Sequence, residues 1–505
     1  MTDHYDVVIL GGAFSGASTA ILLRRDAPQL RVLIVEKAEE FDAKVGEATT
    51  EMSAMFLTRR LAMWEHLERE HLPKEGLRYW FTNERVTGHA DASETGPYIR
   101  SVVPSFQLRR DKLDEHLLAT AVAEGAEVLR PARALDVRIG DFDHRVTIGL
   151  GEEQREVSCR WIVDATGRVN IVGRKLKLID RNDEHPTAAI WCRWKNVRHI
   201  DDVAVDLGIA GGNVGSRRLS TNHYSGYGFW TWLIPLGNGE TSIGIVFDKR
   251  LVDLHQSKDR SRDYVAFLNA IPPLRELIAG AEPRLDDLRF YSQLPYVTKQ
   301  YMGNGWALVG DSAAFLDPYY SPGLDHAAFT AEATARIITK DAMSEDIAPL
   351  IDEHNVTFLR SYWRFFRSIY KDKYYYLGEA DLLSASVLID TAQYYLFVVM
   401  PAYNVMKKFH WMPVLGPKPA FISYHLMRLY NRRFKTIAEQ RRALGIAGEV
   451  NDRRRIKLYF NLGFAPARMV ARGLKLWLFA EVRLLKARTF RRKKAAAMPT
   501  TVSEP

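Results

Sequence analysis

Three short strings hold the residues best suited to chemistry. Lys74 lies in Leu72-Pro73-Lys74-Glu75-Gly76-Leu77-Arg78-Tyr79-Trp80-Phe81, at the edge of an aromatic and apolar run. Beside Glu75 it reads as a solvated loop cation. Folded into a dry pocket, the same lysine loses proton affinity and gains nucleophilicity. The second string is Phe315-x-x-Pro318-x-x-Ser321-x-Gly323, which runs into a helical pattern from Leu324. Backbone amides at such a turn can gather an anion in a small nest. Pro322, inside the string, brings no N–H. The third is Trp230-x-Trp232-x-Ile234-Pro235. Its plain reading is an aromatic strand ended by an edge proline; its chemical reading is a water-poor wall.

A fourth constellation handles phosphate rather than reaction. Tyr5–Leu10 reads as a buried strand, Gly11-Gly12-Ala13-Phe14-Ser15-Gly16 as a tight turn, and Ala17–Arg25 as a helix. Arg31–Val35 is the returning strand, closed by Glu36 and Lys37, with Glu36 20 positions after Gly16. A pyrophosphate can approach the backbone of Gly11, Gly12, Ala13 and Gly16 at the helix N-terminus, and Glu36 can accept bonds from a ribose. Ala13 stands where the fingerprint carries glycine.

Three further strings follow in order: Gln107–Asp114 with Arg110, Asp164-Ala165-Thr166-Gly167-Arg168, and Gly310-Asp311. They resemble the cofactor-contacting strings of FAD hydroxylases. Gly46-Glu47-Ala48-Thr49 resembles a loop near the flavin ring. With the two tryptophans and the Phe315–Gly323 string, the chain resembles the flavin-dependent halogenases of the phenol and pyrrole type, within the FAD-dependent monooxygenase fold. The resemblance covers about residues 5–345.

It implies an α/β fold: a doubly wound Rossmann-type FAD domain, an antiparallel sheet over the substrate, and an appended C-terminal helical region. It implies FAD contacts at Gly11, Gly12, Ala13, Gly16, Glu36, Lys37, Gly46, Glu47, Arg110, Asp164, Gly167, Gly310, Asp311, Pro318 and Gly323. It implies a chloride or bromide site at Ser321, Gly323 and Leu324, a flavin-side wall of Trp230, Trp232 and Pro235, and Lys74 as the residue that receives hypohalous acid. Family members often carry Ser or Thr where this chain has Pro322. Tyr320 replaces the glutamate of tryptophan halogenases, which points away from free tryptophan. With one dinucleotide fingerprint, reduced flavin is expected from a separate reductase. The arene is expected free or on a carrier protein.

The remaining sequence must position these groups. The chain has 505 residues and is 47% apolar, enough for one large core or two to three fused domains. Residues 1–345 read as the catalytic region, with the antiparallel sheet at about 187–300. Residues 346–494 read as helical and 495–505 as a disordered tail. Cys159 and Cys192 offer neither a disulfide framework nor metal spacing, and the N-terminus shows no signal pattern, so a cytoplasmic enzyme without metal is expected.

The net charge of +9 is uneven: Arg428–Lys494 holds 20 Lys and Arg against 4 Asp and Glu, leaving the rest at −7. Residues 464–488 interleave leucines and Trp477 with Arg and Lys. This reads either as an amphipathic helix lying on the inner membrane face or as a helix packed on the body with a solvated basic side. No nucleic-acid motif accompanies the charge. The most apolar run, Tyr394–Val405, is too short to cross a bilayer. Two rivals remain at this point: a flavin hydroxylase, desaturase or isoprenoid-type reductase on the same scaffold, and a membrane-surface scaffold with structural FAD.

Overall fold

The computed structural model describes residues 3–99, 101–141, 143–206, 216–404, 412–459 and 465–496. The β1 strand (Asp3–Leu10) is the centre of the first sheet because its Val7–Leu10 run is fully buried, as a parallel strand covered on both faces requires. It pairs in parallel with β2 (Val32–Val35), at Val7↔Val32, and with the long strand Glu153–Asp164, at Val7↔Trp161. That strand pairs in parallel with Trp306–Leu308 on its far side. The first helix, α1, begins at Phe14, three residues before the sequence suggested, and ends at Asp26. It lies between α2 (Arg110–Ala123) and α3 (Gly323–Ala342), so the phosphate turn and the Ser321–Leu324 turn sit near one another.

The second sheet is mostly antiparallel. Thr187–Lys195, Thr241–Asp248, Phe229–Pro235 and Thr221–Gly226 follow one another by antiparallel pairing. Two junctions are parallel instead. Thr221–Gly226 pairs in parallel with Leu77–Phe81, the strand that leaves Lys74, and Ser93–Ile99 pairs in parallel with Arg455–Tyr459 from the C-terminal region. The C-terminal residues therefore add a strand to this sheet as well as helices.

Those helices pack through buried polar groups as much as through leucines. The α4 helix spans Ala380–Tyr394 and runs on through a π-helical turn, Tyr395–Val399, and Met400–Asn404. The apolar run near Tyr394 is thus part of a longer helix, Ala380–Asn404, which by length and composition could span a bilayer. Its most apolar window is 83% buried inside the protein, where it serves as a core helix. The α5 helix (Phe421–Ala443) is tied to its start by Arg441, which reaches Glu379 and Asp381 at 2.8 Å in a buried cluster. The α6 helix (Ala465–Ala496) packs closely on α4, because a Cβ at Gly473 would come within 2.6 Å of Ile389. Residues 497–505, most of the expected tail, lie outside the described residues.

Candidate active site

Both layers open onto one cavity of about 1580 Å³. The phosphate turn forms one end. Gly11 has φ +96°, and a Cβ there would lie 2.7 Å from the Ala165 carbonyl. A Cβ on Gly16 would strike the Gly11 carbonyl at 1.8 Å. These two glycines are dictated by space. Ala13 has φ −76°, a conformation any residue adopts, so its methyl is tolerated. Glu36 is buried, and its carboxylate accepts the amides of Gly12 at 2.7 Å and Ala38 at 2.8 Å. A cradle of close backbone, a helix N-terminus and an oriented acid fits a dinucleotide. Lys37 lines the same end.

The neighbouring strings split between lining the cavity and bracing it. Gly46, Glu47, Arg110, Gly167, Asp311, Pro318, Ser321, Gly323 and Leu324 line it. Gly12, Gly16, Asp164, Pro235 and Gly310 do not. Asp164 instead knots two loops: it accepts from Thr166 N at 3.0 Å, Thr166 Oγ1 at 2.7 Å, Val172 N at 2.7 Å and Ser312 Oγ at 3.1 Å. Gly310 has φ +61°, and a side chain there would meet Ser15 Oγ at 2.3 Å. Arg110 donates to the Val45 carbonyl at 3.1 Å and to Asp114 at 3.1 Å, which fixes the Gly46–Glu47 loop. Glu47 is buried with Arg193, 3.0 Å away. Burial raises its carboxyl pKa and Arg193 opposes the rise.

Lys74 is buried in the cavity wall, and its Nζ donates to the Thr49 carbonyl at 2.7 Å. Burial draws the amine down to about 8, with Glu51 and Asp325 pulling the other way. The next residue, Thr50, donates through Oγ1 to Asp325 at 2.6 Å. Asp325 sits in the first turn of α3 and also accepts from Ser53 N at 2.9 Å. Burial lifts its carboxyl to about 6. Lys74 and the Ser321–Leu324 turn are therefore two hydrogen-bonded steps apart.

That turn is unusual. Tyr320 and Ser321 both have positive φ, +73° and +56°. The Ser321 amide is engaged by the Pro318 carbonyl at 2.9 Å. Pro322 precedes α3, whose first-turn amides have no carbonyl partner within the helix. A Cβ on Gly323 would meet nothing within 4 Å, so the space above it is open. Opposite, Trp230 and Trp232 stand with ring centroids 5.9 Å apart. Their indoles donate to Tyr374 Oη at 3.0 Å and Ser242 Oγ at 3.1 Å. Gly244 makes room for Trp232, whose ring would lie 2.2 Å from an added Cβ.

The family model for tryptophan halogenases matches residues 63–375, from before Lys74 to beyond the Ser321–Leu324 turn. The chain belongs to the tryptophan halogenase family. It is an FAD-dependent oxidoreductase of the flavin-dependent halogenase group. Among relatives, it is 27% identical to the flavin-dependent halogenase chlA of Dictyostelium discoideum, over 82% of this chain and 73% of that one. It is also 27% identical to a 1H-pyrrole-2-carbonyl-[peptidyl-carrier protein] brominase of Pseudoalteromonas luteoviolacea, over 64% of this chain and 74% of that one. In fold it resembles the halogenase PltM, solved with phloroglucinol and FAD. That likeness has a TM-score of 0.72 at 19% identity and covers 95% and 96% of the two chains.

Several groups of this halogenase site were not read from the sequence. Glu51 and Asp325 adjoin recognised strings and could have been singled out as acids beside them. His223 lines the cavity as a neutral imidazole, drawn down to about 3 by burial. Asp390 and Lys373 come from the C-terminal helices, where no motif marks them. Lys373 Nζ reaches Asp390 at 2.9 Å and Tyr320 Oη at 3.0 Å, and Tyr320 Oη donates to Asp390 at 2.8 Å. Tyr320 is thereby held from outside its own loop.

Proposed function

We propose that this halogenase uses reduced FAD, O₂ and bound chloride or bromide to halogenate an electron-rich arene of the phenol or pyrrole class, with Lys74 receiving the oxidised halogen. The observation that carries the reading is the Thr49–Thr50 bridge, which links Lys74 to the first turn of α3 within one cavity. Bound FAD, once reduced, supplies with O₂ the oxidising equivalents that turn halide into hypohalous acid.

The chain's own residues divide the remaining work. The first-turn amides at Gly323 and Leu324 hold the halide. Trp230 and Trp232 keep water and substrate from the flavin side. The Lys74 ammonium can donate a hydrogen bond to hypohalous acid. As the free amine it can instead form an N–halogen bond while the halogen–oxygen bond breaks and water leaves. The arene then takes the halogen, and its ring proton returns to the amine. A separate reductase supplies reduced flavin to a cytoplasmic enzyme. The pyrrole-carrier relative supports a carrier-tethered arene beside a free one.

The engaged Ser321 amide and Pro322 favour a second reading, oxygenation without halide. Product masses from a panel of phenols and pyrroles, free and carrier-bound, with and without bromide, decide between them. A bromide-dependent brominated product supports the proposal; an oxygenated product indifferent to bromide defeats it.

A further inference from the structure

The outer side of α5 and α6 carries apolar residues that the body does not cover. Ile422, Leu426 and Leu429 recur along α5 at helical spacing and are 77%, 45% and 62% exposed. On α6 the same holds for Leu474, Leu478 and Leu485, at 49%, 66% and 59%. The two helices lie side by side and parallel: Arg433 grips Glu481 at 2.6 Å and Arg488 reaches Gln440 at 2.6 Å. Ile422, Leu426 and Leu429 fall on the same helical face as Arg433, and Leu474 and Leu485 on the same face as Glu481. The stripes therefore flank one seam and form one band. Buried residues leave α6 by a different side, at Met469, Ala480 and Leu484.

Cations border this band on both edges. Arg428 and Arg432 are exposed on α5, and Lys475 and Lys486 on α6. Together the two helices hold 16 Lys and Arg against 2 Asp and Glu. An apolar band edged by long cationic side chains matches a lipid surface: leucines enter the acyl boundary while the charges remain among anionic headgroups. The start of α5 also belongs to the cavity, because Ile422, Ser423 and Met427 line it together with Phe397, which is 65% exposed.

We propose that the outer face of α5 and α6 docks on an anionic lipid bilayer, with the cavity mouth at Ile422 and Phe397 turned into that surface. An arene with an apolar tail would then reach Lys74 from the lipid phase. The docking claim is independent of the halogenation reading and is tested without turnover.

The full chain is mixed with vesicles of phosphatidylcholine alone or with phosphatidylglycerol, at low and high salt. Binding to the anionic vesicles is expected, weakened several-fold by salt beyond the Debye screening of about 10 Å at 0.1 M. The double variant Ile422→Asp/Leu478→Asp, checked for an unchanged melting temperature, should bind about tenfold more weakly. An environment-sensitive dye at Ile422→Cys should shift to the blue on anionic vesicles, and one at Glu152→Cys should not. Failure to bind either vesicle overturns the proposal. So does binding indifferent to the double variant, which would mean charge alone, or a stable dimer that buries this face.

Discussion

Two lysines are buried in this halogenase, and their surroundings differ. Lys373 is saturated: Asp390 at 2.9 Å, Ser386 at 2.8 Å and Tyr320 at 3.0 Å take its protons. Lys74 donates to a backbone carbonyl, while the nearest acids, Glu51 and Asp325, act on it through space and hold bonds of their own to Tyr395 and Thr50. Burial lowers the pKa of both amines. A lysine paired with a carboxylate has its charge fixed and builds structure. One that faces a cavity with a carbonyl partner can exchange its proton and meet a substrate. In the proposed reaction the contrast leaves construction to the C-terminal helices and chemistry to the loop before Leu77.

The largest effect that tests the contrast is Lys74→Met. Halogenated product should fall by about 10²-fold or more, the scale of a lost proton-transfer or nucleophilic group. The variant should stay yellow and consume reduced flavin. Product by mass spectrometry and flavin absorbance check it; full activity would remove Lys74 from the reaction.

Lys373→Met should fail differently. It leaves Asp390 buried without its cation, a loss of about 3–5 kcal/mol in stability. Urea unfolding measures it, and the double variant Lys373→Met/Asp390→Leu should lose less than the single. If Lys373→Met unfolds like the parent, the two lysines are not the contrasting pair described.

A smaller effect is expected at Pro322→Ser, which adds an amide before α3. The response of the bound flavin spectrum to bromide should persist or tighten several-fold. Absence of a bromide response in both proteins would favour the oxygenating alternative.

The smallest effect expected of a variant is a shift in the pH profile. With Lys74 drawn down to about 8, the free amine grows as pH rises through that value. If the amine is the acceptor, product formation should climb about tenfold per unit below pH 8 and level above it. Glu51 holds the lysine's proton on, so Glu51→Gln should move this limb to lower pH by less than about one unit. A flat profile in both proteins would leave hydrogen-bond donation by the ammonium as the role of Lys74.

The sequence alone determined what is local. The Gly11–Gly16 turn, the buried strand before it and Glu36 are legible because backbone space and a 20-residue interval define them. The Trp230–Pro235 and Phe315–Gly323 strings and Lys74 were singled out by resemblance, and the strand and helix read there each start one residue earlier than expected, at Phe229 and Gly323. Tertiary structure decided whatever joins distant segments. That Thr49 and Thr50 connect Lys74 to Asp325, with Thr50 and Asp325 275 residues apart in the chain, has no spacing signature. Nor does the hold of Lys373 and Asp390 on Tyr320, or the reach of Arg455–Tyr459 into the second sheet. The apolar helix Ala380–Asn404 shows why: its composition suits a bilayer or a core equally, and only the partners that bury 83% of its apolar window distinguish them. Periodicity reports which side of an element seeks cover; it does not report what supplies the cover.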